Sequence, residues 1–354
     1  MAEGANARGP AGSPRVPRAH LPALVVTIVI ALVGPLFVAS YSLAMGDPVP
    51  RAVPVAAVGR AADEALANGL DASGDEYRVE EFASASTALH ALDQQQVYAV
   101  LDADASPARL TISTASGASI ARSVELRQDR IESLLGAKLE LVDRHPLAER
   151  DPQGLVLFYL ALGATILGFI GAIQTRINST DMSLRAILGW DVVRSLVVAG
   201  SMTVVIGPVL GLESFPVAPA WLLLGTTMFV SAMVYSFWRV AIGGRWALLP
   251  TWITFVVIAN PSSGGAVAPQ LLPPFYEFVG RWLPSGATVR VLRDITYFPD
   301  EVHPEALVVL AVWLVVSTAA FIVAREVRSR RERALIIRPT AAVAVDGGVE
   351  GRAT

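Results

Sequence analysis

The apolar runs of this chain are placed unevenly, and their placing limits the possible folds more than any other feature. One run, Leu21–Met45, stands alone near the start, and a polar stretch follows it over residues 46–153. The remaining runs crowd the second half: Gly154–Thr175, Ser195–Leu212, Ala220–Trp238, a shorter one near Ala247–Ala259, and Ala306–Ala324. The five longer runs have 18 to 25 residues without Asp, Glu, Lys or Arg. A helix needs roughly 20 apolar residues to cross a bilayer. The pattern predicts an α-helical polytopic membrane protein with six transmembrane helices, one before and five after a polar domain.

Composition agrees with a membrane protein. Hydrophobic residues make up 53% of the chain and charged residues only 17%, whereas soluble proteins average about 25% charged. The chain has no Cys, which excludes disulfides, thiol catalysis and Cys-based metal sites. The first run is too long for the apolar core of a cleaved signal peptide, although Ser42 and Ala44 mimic a cleavage site. It is therefore expected to stay attached as an anchor over residues 21–45.

The positions of the arginines predict the orientation. Short loops rich in Arg tend to face the cytoplasm. Arginines precede the first run and follow the second, the fourth and the last, whereas Glu213–Pro219 has no basic residue. Six spans with both termini cytoplasmic satisfy all of these loops. Residues 46–150 then face outward, and residues 1–20 and 326–354 form cytoplasmic tails. The second tail is expected to be basic and then disordered, with Arg328–Arg333 against anionic lipid head groups.

The polar stretch reads as a small extracytoplasmic α/β domain between helices 1 and 2. Strands are expected at Val53–Val58, Tyr77–Phe82, Val97–Leu101, Leu110–Ile112 and Lys138–Val142. Helices are expected at Ala61–Ala67, at Ser84–Gln94 with a Ser cap, and as one long helix with Ile120, Val124, Ile131 and Leu135 on one face. Alternating strands and helices favour a sheet covered by helices.

The motifs of common enzymes are missing, so no catalytic residue, metal ligand or cofactor is assigned to this chain. There is no Gly-x-Ser-x-Gly elbow and no Gly-x-x-x-x-Gly-Lys-[Ser/Thr] phosphate loop. The apolar runs contain no acid and no His, which argues against a proton-coupled transporter. The basic C-terminal cluster has no folded nucleic-acid module beside it, so nucleic acid is not an expected partner.

The most unusual stretch is the broken segment, residues 259–286, which is too apolar for a free loop and too interrupted for a membrane span. Irregular backbone at membrane depth is tolerated where it is buried or lines a cavity. A helix end followed by short helices at the outer interface is expected here. A lining or gate of a translocation path and an ordinary structural turn both remain open. The candidate path residues are Asn260, Pro261, Ser262, Ser263, Gly264, Gly265, Pro273, Pro274 and Pro284.

This layout resembles ABC-2-type transporter permeases, in particular the YhgE/Pip (phage infection protein) group and its actinobacterial relatives. The residues that carry the resemblance are Asn260–Gly265, Leu272-Pro273-Pro274-Phe275, Leu283-Pro284-Ser285-Gly286, and Arg293 with Tyr297-Phe298. It covers the membrane half, residues 154–325, whereas the outward domain agrees only in position and is much shorter than in the long Pip-type proteins. That difference puts a phage-receptor or secretion-scaffold role in doubt.

The resemblance implies a permease subunit in the plasma membrane of a bacterium, active as a homodimer or heterodimer with a separate ATPase that hydrolyses ATP, commonly in export. It also implies that Arg185 and Trp190, in the inward loop from Arg176 to Arg194, contact that ATPase. A membrane-surface helix is the other explanation of this loop. Since the expected interior offers no charged site, the substrate is expected to be amphipathic or lipid-like. The alternative function is a non-transporting envelope receptor or scaffold that binds a protein through the outward domain.

Small residues recur every four positions in the second run, at Ala164, Gly168 and Ala172. Such spacing lets two helices approach closely. Packing within one chain and a dimer interface are both possible uses of this stripe, and the first is favoured.

Overall fold

The computed structural model describes residues 21–46, 48–70, 76–179, 182–212, 215–301 and 303–346. The expected tail at residues 1–20 and the last residues, 347–354, lie outside the described residues. The chain begins with α1, Leu21–Met45, and then enters a sheet domain, residues 48–151. The rest of the chain forms a body of apolar helices.

The sheet domain has five strands: β1 (Val53–Val58), β2 (Tyr77–Phe82), β3 (Ala99–Asp102), β4 (Ala108–Ile112) and β5 (Leu139–Asp143). Their spatial order is β2-β1-β3-β4-β5, and all neighbours are parallel except β3 and β4. The register pairs Val55 with Val79 and Ala57 with Leu101. The inner strand β1 is buried on both faces, as expected for a parallel strand covered on both sides.

Four helices cover the two faces of this sheet: α2 (Arg60–Leu70), α3 (Ala85–Asp93), α4 (Ala118–Glu125) and α5 (Gln128–Leu135). One face packs against α2, α4 and α5, and the other packs against α3. Ser84 caps α3 as expected, because its side chain accepts a hydrogen bond from the Thr87 amide. The domain is therefore the α/β unit that the sequence predicts.

One expected element of the domain is wrong. The long helix through Ile120 and Leu135 is two helices, because the chain turns at Leu126 and Arg127. Arg127 bonds to Glu76 beside the edge strand β2, with a distance of 3.0 Å between Nη2 and Oε2, which ties the turn to the sheet. Ile120, Val124 and Ile131 still reach one core because the turn redirects α5 toward it.

The helical body contains α6 (Val156–Asn178), α7 (Leu184–Val204, extended by a π-helical turn, Val205–Val209), α8 (Val217–Ile242) and α9 (Leu248–Ala259). It continues with a 3₁₀ turn (Pro269–Leu271), α10 (Pro274–Trp282), α11 (Pro284–Tyr297) and α12 (Pro304–Asp346). In the described residues, five helices are long and apolar enough to cross a membrane: α1, α6, α7, α8 and α12. The protein is therefore a multi-pass membrane protein in character. The fifth of the six expected spans coincides with α9, which has only 12 residues.

α8 is the central helix of the body, since 61% of its apolar window is buried, against 6% for α1. The small-residue stripe of α6 faces α8, where Ala164 and Ala172 are fully buried. A Cβ at Gly168 would lie 2.3 Å from the Met228 carbonyl oxygen, so only glycine allows this approach. The stripe therefore packs within the chain. α1 touches the body through Phe37, whose ring lies 5.6 Å from the Trp252 ring, and through Ser40, which donates to the Val257 carbonyl.

The helices have two common ends. The domain end contains the end of α7 and the starts of α8 and α12, and it adjoins the sheet domain. The arginine end contains the ends of α6 and α8 and the start of α7, where Arg176, Arg239 and Arg325 bond to neighbouring segments.

Two further expectations about helix ends are wrong. The predicted loop from Arg176 to Arg194 is mostly helix, because α6 continues to Asn178 and α7 begins at Leu184. Charged residues suggested a loop, but Arg176 and Arg194 pair with Asp191, and a paired charge does not need to leave the body. The predicted disordered part of the tail also differs, because α12 continues to Asp346. Arg328–Glu332 and Glu326–Arg330 pairs, each four residues apart, support its continuation beyond residue 325.

A glycine substitution on α6 tests the packing against α8. Gly168→Ala is expected to lower the stability of the body by about 1–3 kcal/mol, because the new methyl group overlaps the backbone of α8. Unfolding of detergent-solubilised protein followed by tryptophan fluorescence measures this, since all 7 tryptophans lie outside the sheet domain. Gly163→Ala in the same helix is the control, because its methyl group meets only the flexible end of Met202. Equal destabilisation by the two changes would contradict the packing described.

A second test concerns the sheet domain. Lys138, the Leu139 amide and Gln128 donate hydrogen bonds to the Glu132 carboxylate, and these lower its pKa from 4.5 to about 2. A carboxylate with a lowered pKa stabilises the fold above its unfolded value and loses this contribution as the pH falls toward the folded value. Glu132→Gln should therefore make the domain's stability less sensitive to pH between about pH 5 and about pH 2. Circular dichroism during heating at each pH measures the unfolding temperature. Glu140→Gln, which removes the exposed ion pair with Arg109, is the control. Unchanged pH sensitivity in Glu132→Gln would count against this assignment.

Candidate functional site

The candidate site is built around the broken segment at the domain end. After α9 the chain runs irregularly through Asn260–Gly265, and Asn260, Ser262 and Ser263 are at most 5% exposed. Ser262 Oγ donates to the Ile258 carbonyl at 2.7 Å and so closes the end of the helix. Gly264 has a φ of +73°, which favours glycine. Its carbonyl accepts a hydrogen bond from Arg293 Nη2 at 2.9 Å. The buried irregular backbone is thus held by neighbouring elements.

α10 and α11 press closely on this stretch through two glycines. A Cβ at Gly280 would lie 1.7 Å from the Ser262 carbonyl oxygen, and one at Gly286 would lie 2.1 Å from the Gly280 carbonyl oxygen. No side chain fits in either place. The broken segment therefore folds back on itself as a tightly packed hairpin.

Asn260 stands out within this hairpin. Both polar atoms of its side-chain amide are buried and have no hydrogen-bond partner among the described residues. The Tyr41 hydroxyl of α1 lies beside this amide but outside good hydrogen-bond geometry. An unpaired buried polar group costs about 1–3 kcal/mol. A buried position that keeps such a group is a candidate for function.

The sheet domain is seated on the broken segment. Ala268 and Leu271 belong to the hydrophobic core of the domain. The Arg51 amide donates to the Gln270 carbonyl at 3.1 Å, and Arg51 Nη1 donates to the Leu272 carbonyl at 2.8 Å. The Tyr98 hydroxyl donates to Gln270 Oε1 at 2.7 Å. Domain and body therefore share part of one core.

A second contact joins the domain to the start of α12. Asp294 on α11 is 2% exposed and accepts hydrogen bonds from Gln95 Nε2 at 2.9 Å and from the His303 amide at 3.1 Å. The His303 ring lies 3.3 Å from Asp294 through Nδ1, and its Nε2 lies 3.1 Å from the Gln94 carbonyl oxygen. One buried carboxylate thus holds three segments together.

Two cavities flank the broken segment under the domain. The larger, about 960 Å³, lies between the domain and the body. Gly264, Gly265 and Tyr297 line its body side, and Arg122 and Glu149 lie on the other. The smaller, about 350 Å³, is lined by Ser262 and Ser263 and by the charged residues Glu277, Arg281, Arg290, Asp294 and Glu305.

Arg293 lines both cavities. Burial lowers the pKa of its guanidinium below the usual range, although arginine stays charged at neutral pH. It therefore brings a fixed positive charge to the wall between the cavities.

The sequence-predicted site residues fall into three groups. Ser262 and Ser263 line the smaller cavity, Gly264 and Gly265 line the larger one, and the buried Asn260 and Pro261 directly precede them and line neither. The three other prolines begin helices or precede them: Pro273 precedes α10, Pro274 is its exposed first residue, and Pro284 is the buried first residue of α11. Proline is favoured at such positions. Arg185 and Trp190 lie at the opposite end, exposed on the first turns of α7.

Sequence reasoning missed an ion network at the arginine end. Asp191 is fully buried, and Arg176 donates to its two carboxylate oxygens through Nη1 at 3.1 Å and Nη2 at 2.5 Å. Arg194 Nη1 lies 2.7 Å from the same carboxylate and donates to Thr175 Oγ1 at 2.8 Å. The spacing of Asp191 and Arg194, three residues apart on one helix face, was the signal available in the sequence. Asp294 was also missed, because its partners are distant in the chain.

Among the described residues, no group of three or more His, Cys, Asp or Glu side chains could hold a metal ion. Comparison of the chain with family models, with curated proteins and with solved structures gives no match. The function therefore has to be argued from the geometry.

The contact between the sheet domain and the helical body can be tested at Asp294. Asp294→Ala removes the acceptor for Gln95 and for the His303 amide, and leaving them unpaired should weaken this contact by about 1–3 kcal/mol. Faster amide hydrogen exchange is expected at residues 94–98 and 303–306, measured by mass spectrometry on the detergent-solubilised chain. Asp300→Ala, at an exposed position nearby, is the control. Unchanged exchange in the Asp294 variant would show that this contact does not hold the domain.

Proposed function

We propose that this chain is the membrane permease subunit of an ABC-type exporter that works with a separate ATPase. The observation that carries the proposal is the placing of the broken segment: an irregular, buried stretch forms a wall between two cavities and lies under a docked domain. Irregular backbone at membrane depth is typical of helical transporters at the point where the substrate passes.

The connections between helices favour six membrane crossings. α8 finishes at the arginine end and α12 begins at the domain end, so the chain between them must return across the body. α9 provides this return, although it is short. The amphipathic α10 then lies at the domain end with Phe275, Phe278 and Trp282 exposed, which suits a membrane–water interface. The chain is then a six-helix protein with an ABC-2-type membrane domain and both termini cytoplasmic in a bacterial plasma membrane.

The larger cavity suits an amphipathic or lipid-like substrate. Leu126, Leu157 and Val289 supply apolar surface, and Arg122 and Glu125 supply charge. A substrate with an apolar body and a polar head would match both kinds of surface.

The arginine end supports coupling to an ATPase. Arg185 and Trp190 are exposed on the first turns of α7, and Trp190 is 59% exposed. The buried Asp191 follows directly and joins α7 to α6 through Arg176. α6 reaches the domain end, where Phe158 lies against Gly265. A displacement of the start of α7 would therefore be transmitted to the broken segment through the Asp191–Arg176 ion pair and the packing of Phe158 on Gly265.

The scaffold alternative is less well supported. A domain that captures another protein does not need to share its core with the helices, whereas this domain buries Ala268 and Leu271 of the broken segment. The shared core favours a domain that acts together with the helices. A second copy of the permease, identical or related, would complete the transporter.

The test is purification of the chain from its native membrane followed by assay of ATP hydrolysis. We expect an ATP-hydrolysing chain to accompany it, with a turnover that changes when an amphipathic substrate is added. A double substitution, Arg185→Ala with Trp190→Ala, should reduce this association at least about tenfold, because Trp and Arg dominate binding energy at interfaces.

Val197→Ala is the control, since Val197 is also exposed on α7 but lies farther from the arginine end. Purified protein that never associates with an ATPase, or equal losses in both variants, would overturn the exporter proposal.

A further inference from the structure

A third cavity, about 400 Å³, lies at the arginine end, between the ends of α6 and α8 and the middle of α12. Four arginines from these three helices line it: Arg176, Arg239, Arg325 and Arg328. Ser179, Ser236 and Ser329 add hydroxyl groups, and Glu332 is the only acid in the lining among the described residues. This cavity is separate from the broken segment, and the proposed function assigns no ligand to it.

The arginines are held in place before any ligand arrives. Arg176 is 6% exposed, is held by Asp191, and lies 5.9 Å from the centre of the Phe321 ring. Arg239 Nη2 donates to the Arg176 carbonyl at 3.0 Å, and Arg325 Nη2 donates to the Met182 carbonyl at 3.1 Å. These carbonyl partners orient the guanidinium groups without cancelling their charge. A guanidinium has five N–H donors, so further donors remain for a ligand.

The charges of this cluster do not balance within the described residues. Five arginines, the four in the lining and Arg194, share two carboxylates, Asp191 and Glu332. Like charges brought together in a partly buried place repel one another. A bound anion would remove this cost, and phosphate oxygens fit the forked donors of arginine in pairs.

We propose that this cavity binds a phosphate group, presented either by the head group of an anionic phospholipid or by a small soluble phosphate. The cavity is large enough for a head group, and two exposed apolar residues, Ile242 and Val327, directly precede its lining residues Gly243 and Arg328 in the chain. Basic pockets between membrane helices are known to take phospholipid head groups. The site differs from a basic surface because Arg176 and Ser236 are buried in its floor.

The experiment measures binding to the full-length chain in a neutral detergent. The probes are phosphatidylglycerol, phosphatidylcholine and inorganic phosphate, and the readouts are native mass spectrometry and the unfolding temperature. We expect phosphatidylglycerol or inorganic phosphate to bind and to raise the unfolding temperature. Binding of phosphatidylglycerol without competition by inorganic phosphate identifies the lipid as the source, and binding of inorganic phosphate alone identifies a soluble ligand. Absence of binding by both anionic probes would overturn the proposal.

Two matched double variants distinguish a specific phosphate site from general electrostatic attraction to a basic surface. Arg239→Gln with Arg325→Gln removes two lining charges and leaves the Asp191 pairs intact, and it should weaken binding at least about tenfold. Arg330→Gln with Arg331→Gln removes two charges from exposed positions of α12 outside the cavity and should leave the affinity within about twofold.

Equal losses in the two double variants would show a diffuse basic surface and sink the proposal. Arg325→Lys keeps the positive charge but loses the paired N–H donors of the guanidinium, so it should bind phosphate with intermediate affinity. This single variant replaces the double variant if the double variant does not fold.

Discussion

The arrangement of the sheet domain on the helical body depends on the packing of the domain against the broken segment. Buried chain that leaves a helix has backbone groups without helical partners, and leaving them unpaired is costly. Arg51 and Arg293 supply such partners by donating to the carbonyls of Leu272 and Gly264, and the domain core takes up Ala268 and Leu271. Without the domain, the irregular stretch would lose its hydrogen bonds to Arg51 and the apolar cover of Ala268 and Leu271.

At the arginine end, the packing of the helices depends on a buried charge rather than on irregular backbone. An isolated carboxylate cannot be buried cheaply, and its burial here requires Arg176 and Arg194. Because these partners lie on α6 and α7, the requirement fixes how the two helices pair. The remaining arginines then gather around the same point from α8 and α12. The two ends thus differ in chemistry: one is held by shared apolar core and backbone bonds, the other by ion pairs.

Most of the local structure could be predicted from the sequence. The five strands, the Ser84 cap and the five long apolar helices follow from periodicity, capping and hydrophobic length. The errors have a common cause. Arg176, Asp191 and Arg194 suggested a loop, but they pair with one another across two helices. The single long helix around Leu126 is broken because Arg127 finds its partner at Glu76, far along the chain. The fifth of the six expected spans coincides with the short α9, and the count of six spans stays a prediction. Of the site, the sequence could indicate Asn260–Gly265 but not the role of Asp294.

The sequence by itself determined which segments are apolar, where turns and helix starts fall, and that a polar α/β domain separates the first helix from the rest. These features depend on side-chain type and on spacing over a few residues, so they can be read in one dimension. Tertiary structure alone decided that Gly168 meets α8, that Asp294 joins three segments, and that arginines from three helices surround one cavity. Each of these depends on residues far apart in the chain that come together only when the helices pack, and no local pattern encodes that distance.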